Sequence, residues 1–288
     1  MIAKRFSGRR WQFWRRLFRH RSATLGLILV MLVAMVALWA PALVPHDPLK
    51  QDILHALDPP SRDHLFGTDA MGRDLLSRVI LGSRISATVG LVVVLIASTT
   101  GVVSGLVAAY FEGWVDQVIS RIIDLMLAFP SFLLALAVLT ILGPSLINAM
   151  LAVAVATIPS FARVSRGAAL AEKQRDHILA ARVVGVRNHG IIFRHILPNI
   201  LAPIMVLATV SLATAILTTA SLSFLGLGAQ PPTPEWGAIL ARGREYMRIA
   251  WWLTVFPGMA IAISVLALNL LGDGLRDLLD PRLRNRGK

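Results

Sequence analysis

Residues 125–162 read LMLAFPSFLLALAVLTILGPSLINAMLAVAVATIPSFA, 38 positions without one Asp, Glu, Lys or Arg. A helix crossing a hydrocarbon layer of about 30 Å needs about 20 residues at 1.5 Å each. The run is too long for one crossing and long enough for two. Its middle carries Leu142-Gly143-Pro144-Ser145. Glycine ends a helix because it accepts the left-handed conformation. Proline suits the first turn of the next, where its missing N–H has no partner to lose. The stretch therefore reads as a tight hairpin of two spans, 122–142 and 145–166.

The same pattern extends outward on both sides. No Asp, Glu, Lys or Arg stands between Arg84 and Glu112, between Arg194 and Glu235, between Arg248 and Asp273, or from Ser22 to His46. Lipid offers the backbone no hydrogen-bond partner, so such runs must be helical. The chain of 288 residues is 56% hydrophobic and only 16% charged, with mean hydropathy +0.67. A soluble domain carries about 25% charged residues. The fold class is an all-α polytopic membrane protein with six transmembrane helices, at 23–44, 85–110, 122–142, 145–166, 199–225 and 251–272.

A net charge of +13 raises the question of nucleic acid. Its distribution answers otherwise. With the N-terminus inside, segments 1–22, 111–121, 163–198 and 273–288 hold 21 Lys and Arg, and the outside segments 45–84 and 226–250 hold 8. That asymmetry follows the positive-inside rule with both termini cytoplasmic. The basic, aromatic N-terminus reads as a membrane-surface helix leading into the first span. The first apolar run exceeds a secretory h-region, and Pro41 sits awkwardly in Ala40-Pro41-Ala42, so it reads as an uncleaved span.

What is missing narrows the function. There is no G-x-x-x-x-G-K-[ST], no H-E-x-x-H and no G-x-S-x-G. There is no cysteine either, so no disulfide or thiolate metal site is possible. His46, His55 and His64 fall nine apart in one loop, but even spacing is not convergence, and solvated histidines are the plainer expectation beside a metal site. The spans hold almost no ionisable groups, which ion-coupled carriers keep at membrane depth. Asn148 and Asn269 read as interhelical hydrogen-bonding groups. Energy for transport must come from outside the chain, and no catalytic set is present.

One cytoplasmic stretch breaks the apolar pattern. Residues 176–199, DHILAARVVGVRNHGIIFRHILPN, are half apolar and half basic. Asp176 is a good N-cap and Gly185 a natural residue after the helix end. Ile178, Ala181 and Val184 then share a face, flanked by Leu179 and Val183, with Arg182 off it. Asn188 caps a second helix over 189–197 that Pro198 ends. Alanine and valine bind lipid poorly, so the first helix suits a groove of another protein better than a bilayer surface.

AARVVG and IIFRHILPN resemble the cytoplasmic "EAA" loop of bacterial ABC importer permeases, with Ala180, Ala181 and Gly185 in the matching positions and His195, Leu197, Pro198 and Asn199 downstream. Leu179 stands where that family carries glutamate, and His177 where it carries an aromatic residue. HLFGTDAMGRDLLSRVILGSRIS (64–86), SLSFLGLGAQPPTPEWGAIL (221–240) and LNLLGDGLRDLLDPRL (268–283) resemble the C-type permease subunit of the dipeptide, oligopeptide and nickel branch.

The resemblance implies a permease subunit of an ATP-driven importer in the bacterial inner membrane, not itself an enzyme. Its partners would be a homologous second permease, two ATPase subunits that use ATP and Mg, and a periplasmic or lipid-anchored substrate-binding protein. The chain would bind no cofactor, metal or nucleic acid. Ile178, Ala180, Ala181, Arg182, Val184 and Gly185 would dock the ATPase. Pro234, Glu235 and Trp236 would face the binding protein; by residue type alone, Trp236 in this proline-rich outside loop is expected to dip to the membrane interface. The implied division is a basic segment 1–22, a first span and outer loop 23–84, a five-helix permease domain 85–273 with its EAA-like loop at 167–198, and a tail 274–288. The competing reading is an ATP-independent channel or secondary carrier, which would need no docking helix.

Overall fold

The computed structural model describes residues 20–279. The basic N-terminal helix and the cytoplasmic tail expected from sequence lie outside these residues, save for a few positions at their inner ends. Among the described residues the chain is helical, with no β-strand beyond one isolated bridge between Thr68 and Asp74. Helix α1 spans Arg21–Leu43 and α2 spans Leu75–Phe111. Next come α3 (Gly113–Leu127), α4 (Ser131–Leu142), α5 (Leu146–Lys173) and α6 (Asp176–Val183). The last three are α7 (Asn188–Phe224), α8 (Trp236–Gly243) and α9 (Trp252–Leu279). Five of these are long and apolar enough to cross a membrane, and α3 with α4 make a sixth, bent crossing.

The hairpin at Gly143 is present. Gly143 has φ +85, and Ser145 caps α5 by accepting the Asn148 N–H. Asn148 does not link distant helices. Its amide donates to the Leu142 and Gly143 carbonyls at 2.8 and 3.0 Å, closing the end of α4. The span expected at 122–142 is broken, with α3 and α4 meeting at 94°. The break falls at Pro130, at φ −52 and ψ 131, whose ring leaves no N–H to donate and disfavours the helical region for the residue before it.

Two helices begin well before their expected starts. Helix α2 begins ten residues early because Asp74 caps it, accepting from Ser77 N at 2.8 Å. Its two arginines mark a start outside lipid rather than the helix end. Helix α7 continues backward through Pro198 to Asn188. A π-helical turn over Ile191–Ile196 absorbs the change of register, and Pro198 sits where the following α-helical segment begins.

The centre of the bundle is the crossing of α2 with α5. Gly101 and Gly105 of α2 form a G-x-x-x-G face. A Cβ on Gly101 would lie 2.6 Å from Phe161 Cβ and 2.7 Å from the Ile158 carbonyl. Close backbone approach replaces hydrophobic drive inside lipid, where tails are as apolar as leucine. Ser165 Oγ bridges the crossing, donating to the carbonyls of Phe161 at 2.7 Å and Gly101 at 3.3 Å. Elsewhere α1 packs on α9, where Gly26 meets the Leu270–Leu271 backbone. Outer faces stay apolar, as with Leu38 on α1, Leu91 on α2 and Ile147 on α5. A chain apolar both inside and out is built for lipid or for partner helices.

Candidate functional site

Helix α6 is short and held at both ends. Arg175 precedes it without a side-chain cap, and Asp176 lies in the first turn rather than at the cap. There its carboxylate still faces the positive end of the helix. At the other end Gly185 has φ +82. Its N–H reaches the Arg182 carbonyl at 3.0 Å, and the Val186 N–H reaches the Ala181 carbonyl at 3.0 Å. This is a Schellman closure, which satisfies two carbonyls and needs a residue at positive φ. Nothing lies within 4 Å of a Cβ placed on Gly185, so the demand is conformational and not steric.

The faces of α6 differ from the expected arrangement. Ile178 is fully buried in the chain's own core cluster, which includes Ala169, Ile191 and Ile196. It anchors the helix and is not offered to a partner. Ala181 is half-buried. The exposed apolar stripe is Leu179, Ala180, Val183 and Val184, with Val183 87% and Val184 82% exposed. Of the six expected docking residues, Ala180 and Val184 lie on this stripe. Leu179 and Val183, taken as flanking, belong to its centre. Two exposed valines side by side on a polar end of the protein are the unusual feature, because isolated exposed apolar residues are ordinary and grouped ones mark contact surfaces.

The loop carrying α6 is clamped to the end of α2. Tyr110 donates its hydroxyl to Asn188 Oδ1 at 2.7 Å. The Arg182 guanidinium lies 5.5 Å from the Tyr110 ring centroid and the Lys173 ammonium 5.4 Å from it. Lys173 also donates to the carbonyls of Ala109 and Tyr110 at 3.2 and 2.6 Å, closing the C-terminus of α2. Buried Glu172 pairs with Arg175 at 3.0 Å and faces His177 at 3.3 Å. Helices α2, α5 and α7 and the α6 loop thus meet at Tyr110. Sequence reasoning passed over this residue; its only signal was a tyrosine at a span end, a common place for one.

The other end of α2 carries the outer cap, where the structure corrects a second expectation. Pro234, Glu235 and Trp236 are buried, not presented to a partner. Trp236 Nε1 donates to the Val79 carbonyl at 2.9 Å and its ring packs where Gly82 leaves room. Glu235 caps α8, accepting from Gly237 N and Ala238 N at 3.0 and 2.9 Å. Burial pushes its carboxyl above the usual range. The exposed positions of this loop are Leu225, Gly226, Gln230, Pro231 and Pro232.

Within the cap, Asp69 accepts from Arg73 at 2.7 Å and faces Arg78 at 3.5 Å. Arg78 donates onward to the Pro48 carbonyl at 3.0 Å. Trp252 Nε1 donates to the Thr68 carbonyl at 3.1 Å. His46 and His64 converge on Asp74, whereas His55 pairs apart from them with Asp52. Among α4, α7, α8 and α9 lies an apolar cavity of about 610 Å³, lined in part by Phe132, Leu217, Phe224, Leu240, Ile261 and Val265.

Comparison with known proteins fits this geometry. Residues 101–285 match the family described as binding-protein-dependent transport system inner membrane component. Residues 9–60 match the N-terminal transmembrane domain of oligopeptide transport permease C. A di/tripeptide transport system permease protein of Pseudomonas aeruginosa is 45% identical over 280 residues, covering 95% of this chain and 92% of that protein. A glutathione transport system permease protein of Pectobacterium atrosepticum is 46% identical over 275 residues, covering 95% and 91%. A solved structure of the MetNI methionine ABC transporter aligns at TM-score 0.58 with 20% identity, over 71% of this chain and 97% of that one, a likeness of fold alone.

Proposed function

The chain belongs to the family of binding-protein-dependent transport inner membrane components, and is a permease subunit of an ATP-driven importer; from that premise we infer its substrate, its orientation and the way it couples. The substrate class is short peptides, including glutathione-like ones, by the names its relatives carry. The two termini face the cytoplasm, in keeping with the 21-to-8 distribution of basic residues. The chain supplies half of the translocation pathway, with a homologous permease as the other half. The open apolar cavity bounded by α4, α7 and α9 supports a partner or substrate on that side. ATP and Mg are used by two separate ATPase subunits, and a periplasmic or lipid-anchored binding protein delivers substrate to the outer end.

Coupling rests on one observation: α6 offers an exposed apolar stripe on a rigid mount. Ile178 holds it from inside, Gly185 closes it, and Tyr110 ties its loop to α2. We propose that Leu179, Ala180, Val183 and Val184 sit in a groove of the ATPase subunit. Closure of the ATPase dimer then pushes α6, and the Tyr110 clamp passes that displacement to α2 and α5. Movement of packed helices as rigid bodies is the ordinary means of alternating access.

Fully burying a valine contributes about 1.5–3 kcal/mol, so an arginine in its place forfeits that term and adds a desolvated charge. Val183→Arg leaves this chain's own core untouched, since Val183 is 87% exposed. It should still insert and pair with the second permease. It should lose co-purifying ATPase subunits, or lose peptide-stimulated ATP hydrolysis. Normal retention and normal stimulation in that variant would make α6 a surface element without a partner.

A further inference from the structure

We propose that His46, His64 and Asp74 form a binding site for a divalent transition-metal cation of the zinc type. The three come from separate stretches of the outer cap: His46 just past α1, His64 in the middle of the loop, and Asp74 at the start of α2. One ligand atom from each lies within 4.8 Å of the other two. Both Nδ1 atoms face the same carboxylate oxygen, His64 at 2.9 Å and His46 at 3.8 Å from Asp74 Oδ1. A tetrahedron with metal–ligand bonds near 2.0–2.1 Å has an edge of about 3.3 Å. The two separations from Asp74 bracket that edge, and the third, between the histidine nitrogens, is within 4.8 Å, so an approach of the two rings by at most about 1.5 Å turns the hydrogen-bonded cluster into a chelate.

The surroundings suit a ligand set. Asp74 Oδ2 accepts from Ser77 N at 2.8 Å, which fixes the carboxylate with Oδ1 turned toward the two histidines, His64 Nδ1 lying 2.9 Å from it. The His46 backbone N–H donates to Ser77 Oγ at 3.1 Å, holding that residue to the same helical turn. Such outer partners orient ligands and sustain affinity. The two rings, 4.9 Å apart and tilted by 42°, do not stack flat. Asp74 is buried, while the His46 side chain is 46% exposed, so an ion has an entry and a water can complete four-coordination. Two imidazoles and one carboxylate favour zinc-type ions over calcium or magnesium, which prefer oxygen throughout. His55, paired with exposed Asp52, takes no part.

A bound ion would fasten the end of α1 and the loop to the start of α2. The test uses the assembled transporter, stripped with chelator and titrated with zinc alone, with magnesium in parallel. Wild type should bind zinc at this site and unfold at a higher temperature when zinc is present; magnesium should do neither. His46→Gln, a change at a half-exposed position, should weaken zinc binding at this site at least tenfold and abolish the thermal shift. His55→Gln should behave as wild type. Equal zinc affinity in wild type and His46→Gln, or an equal loss in His55→Gln, would overturn the proposal and leave the cluster a plain hydrogen-bonded contact.

Discussion

Gly101→Ala tests the crossing on which the bundle depends. The added Cβ would meet Phe161 Cβ at 2.6 Å, the Ile158 carbonyl at 2.7 Å and Ala162 N at 3.0 Å. Two of these three atoms are backbone, so no side chain can simply turn away. Reaching ordinary contact at 3.4 Å from 2.7 Å requires α2 and α5 to part locally by about 0.7 Å. A radial gap of that size forfeits about a quarter to a half of the dispersion well at each contact it opens. Overpacked cores lose about 1–3 kcal/mol in this way. Lengthening the 3.3 Å bond from Ser165 Oγ to the Gly101 carbonyl removes at most about another 1 kcal/mol. Alanine's better helix propensity returns up to about 1 kcal/mol, so the expected net loss is about 1–3 kcal/mol. Gly167 on α5 supplies the control, since nothing lies within 4 Å of its Cβ position. Gly167→Ala should be neutral or gain up to about 1 kcal/mol from helix propensity alone. Denaturant unfolding of the purified chain in detergent reads both. Equal stability of the two variants would refute the close α2–α5 approach.

Three further outcomes follow from the two ends of α2. Trp236→Ala should cost about 3–5 kcal/mol of stability, read in the same unfolding assay, because it empties a buried site and breaks the bond to Val79. Tyr110→Phe should cost about 0.5–1.5 kcal/mol by orphaning Asn188. It should also speed protease cleavage in the 176–188 loop, leaving the outer cap as resistant as before. Burial raises the Glu235 carboxyl above its ordinary value of 4.5, so folding takes up a proton there. That contribution is complete below the unfolded value and is lost as pH rises through the folded one. Melting temperatures of wild type measured against Glu235→Gln should therefore diverge downward with rising pH above about 4.5.

The spans were legible because uncharged runs of 24 or more residues admit one reading, and Gly143-Pro144 marked the hairpin by backbone chemistry alone. The helix limits were not. Arg78 and Arg84 made α2 look as if it began at 85, yet Arg78 is satisfied inside the cap by Asp69 and the Pro48 carbonyl. Such partners lie some 10 to 30 residues away and leave no local trace. Gly185 was legible for the same reason as Gly143. The face of α6 was misread because spacing fixes which residues share a side but not which side the core takes; Ile178 took it. Trp236 was expected at the membrane interface from its residue type. Its burial depends on the space that Gly82 leaves on α2, a tertiary fact. The meeting of His46 with His64 at Asp74 was likewise invisible, because even spacing along a loop carries no information on convergence and solvated histidines were expected.

The claim that α6 docks an ATPase subunit has a direct test, because the chain has no cysteine of its own. Val183→Cys places a single thiol at the most exposed point of the apolar stripe. Carrying a short photo-activated cross-linker in membranes with the full transporter, it should form an adduct with the ATPase subunit. The same reagent on Leu91→Cys, exposed on the apolar flank of α2, should not. Absence of an ATPase adduct from position 183, in complexes that still hydrolyse ATP in response to peptide, would contradict the account.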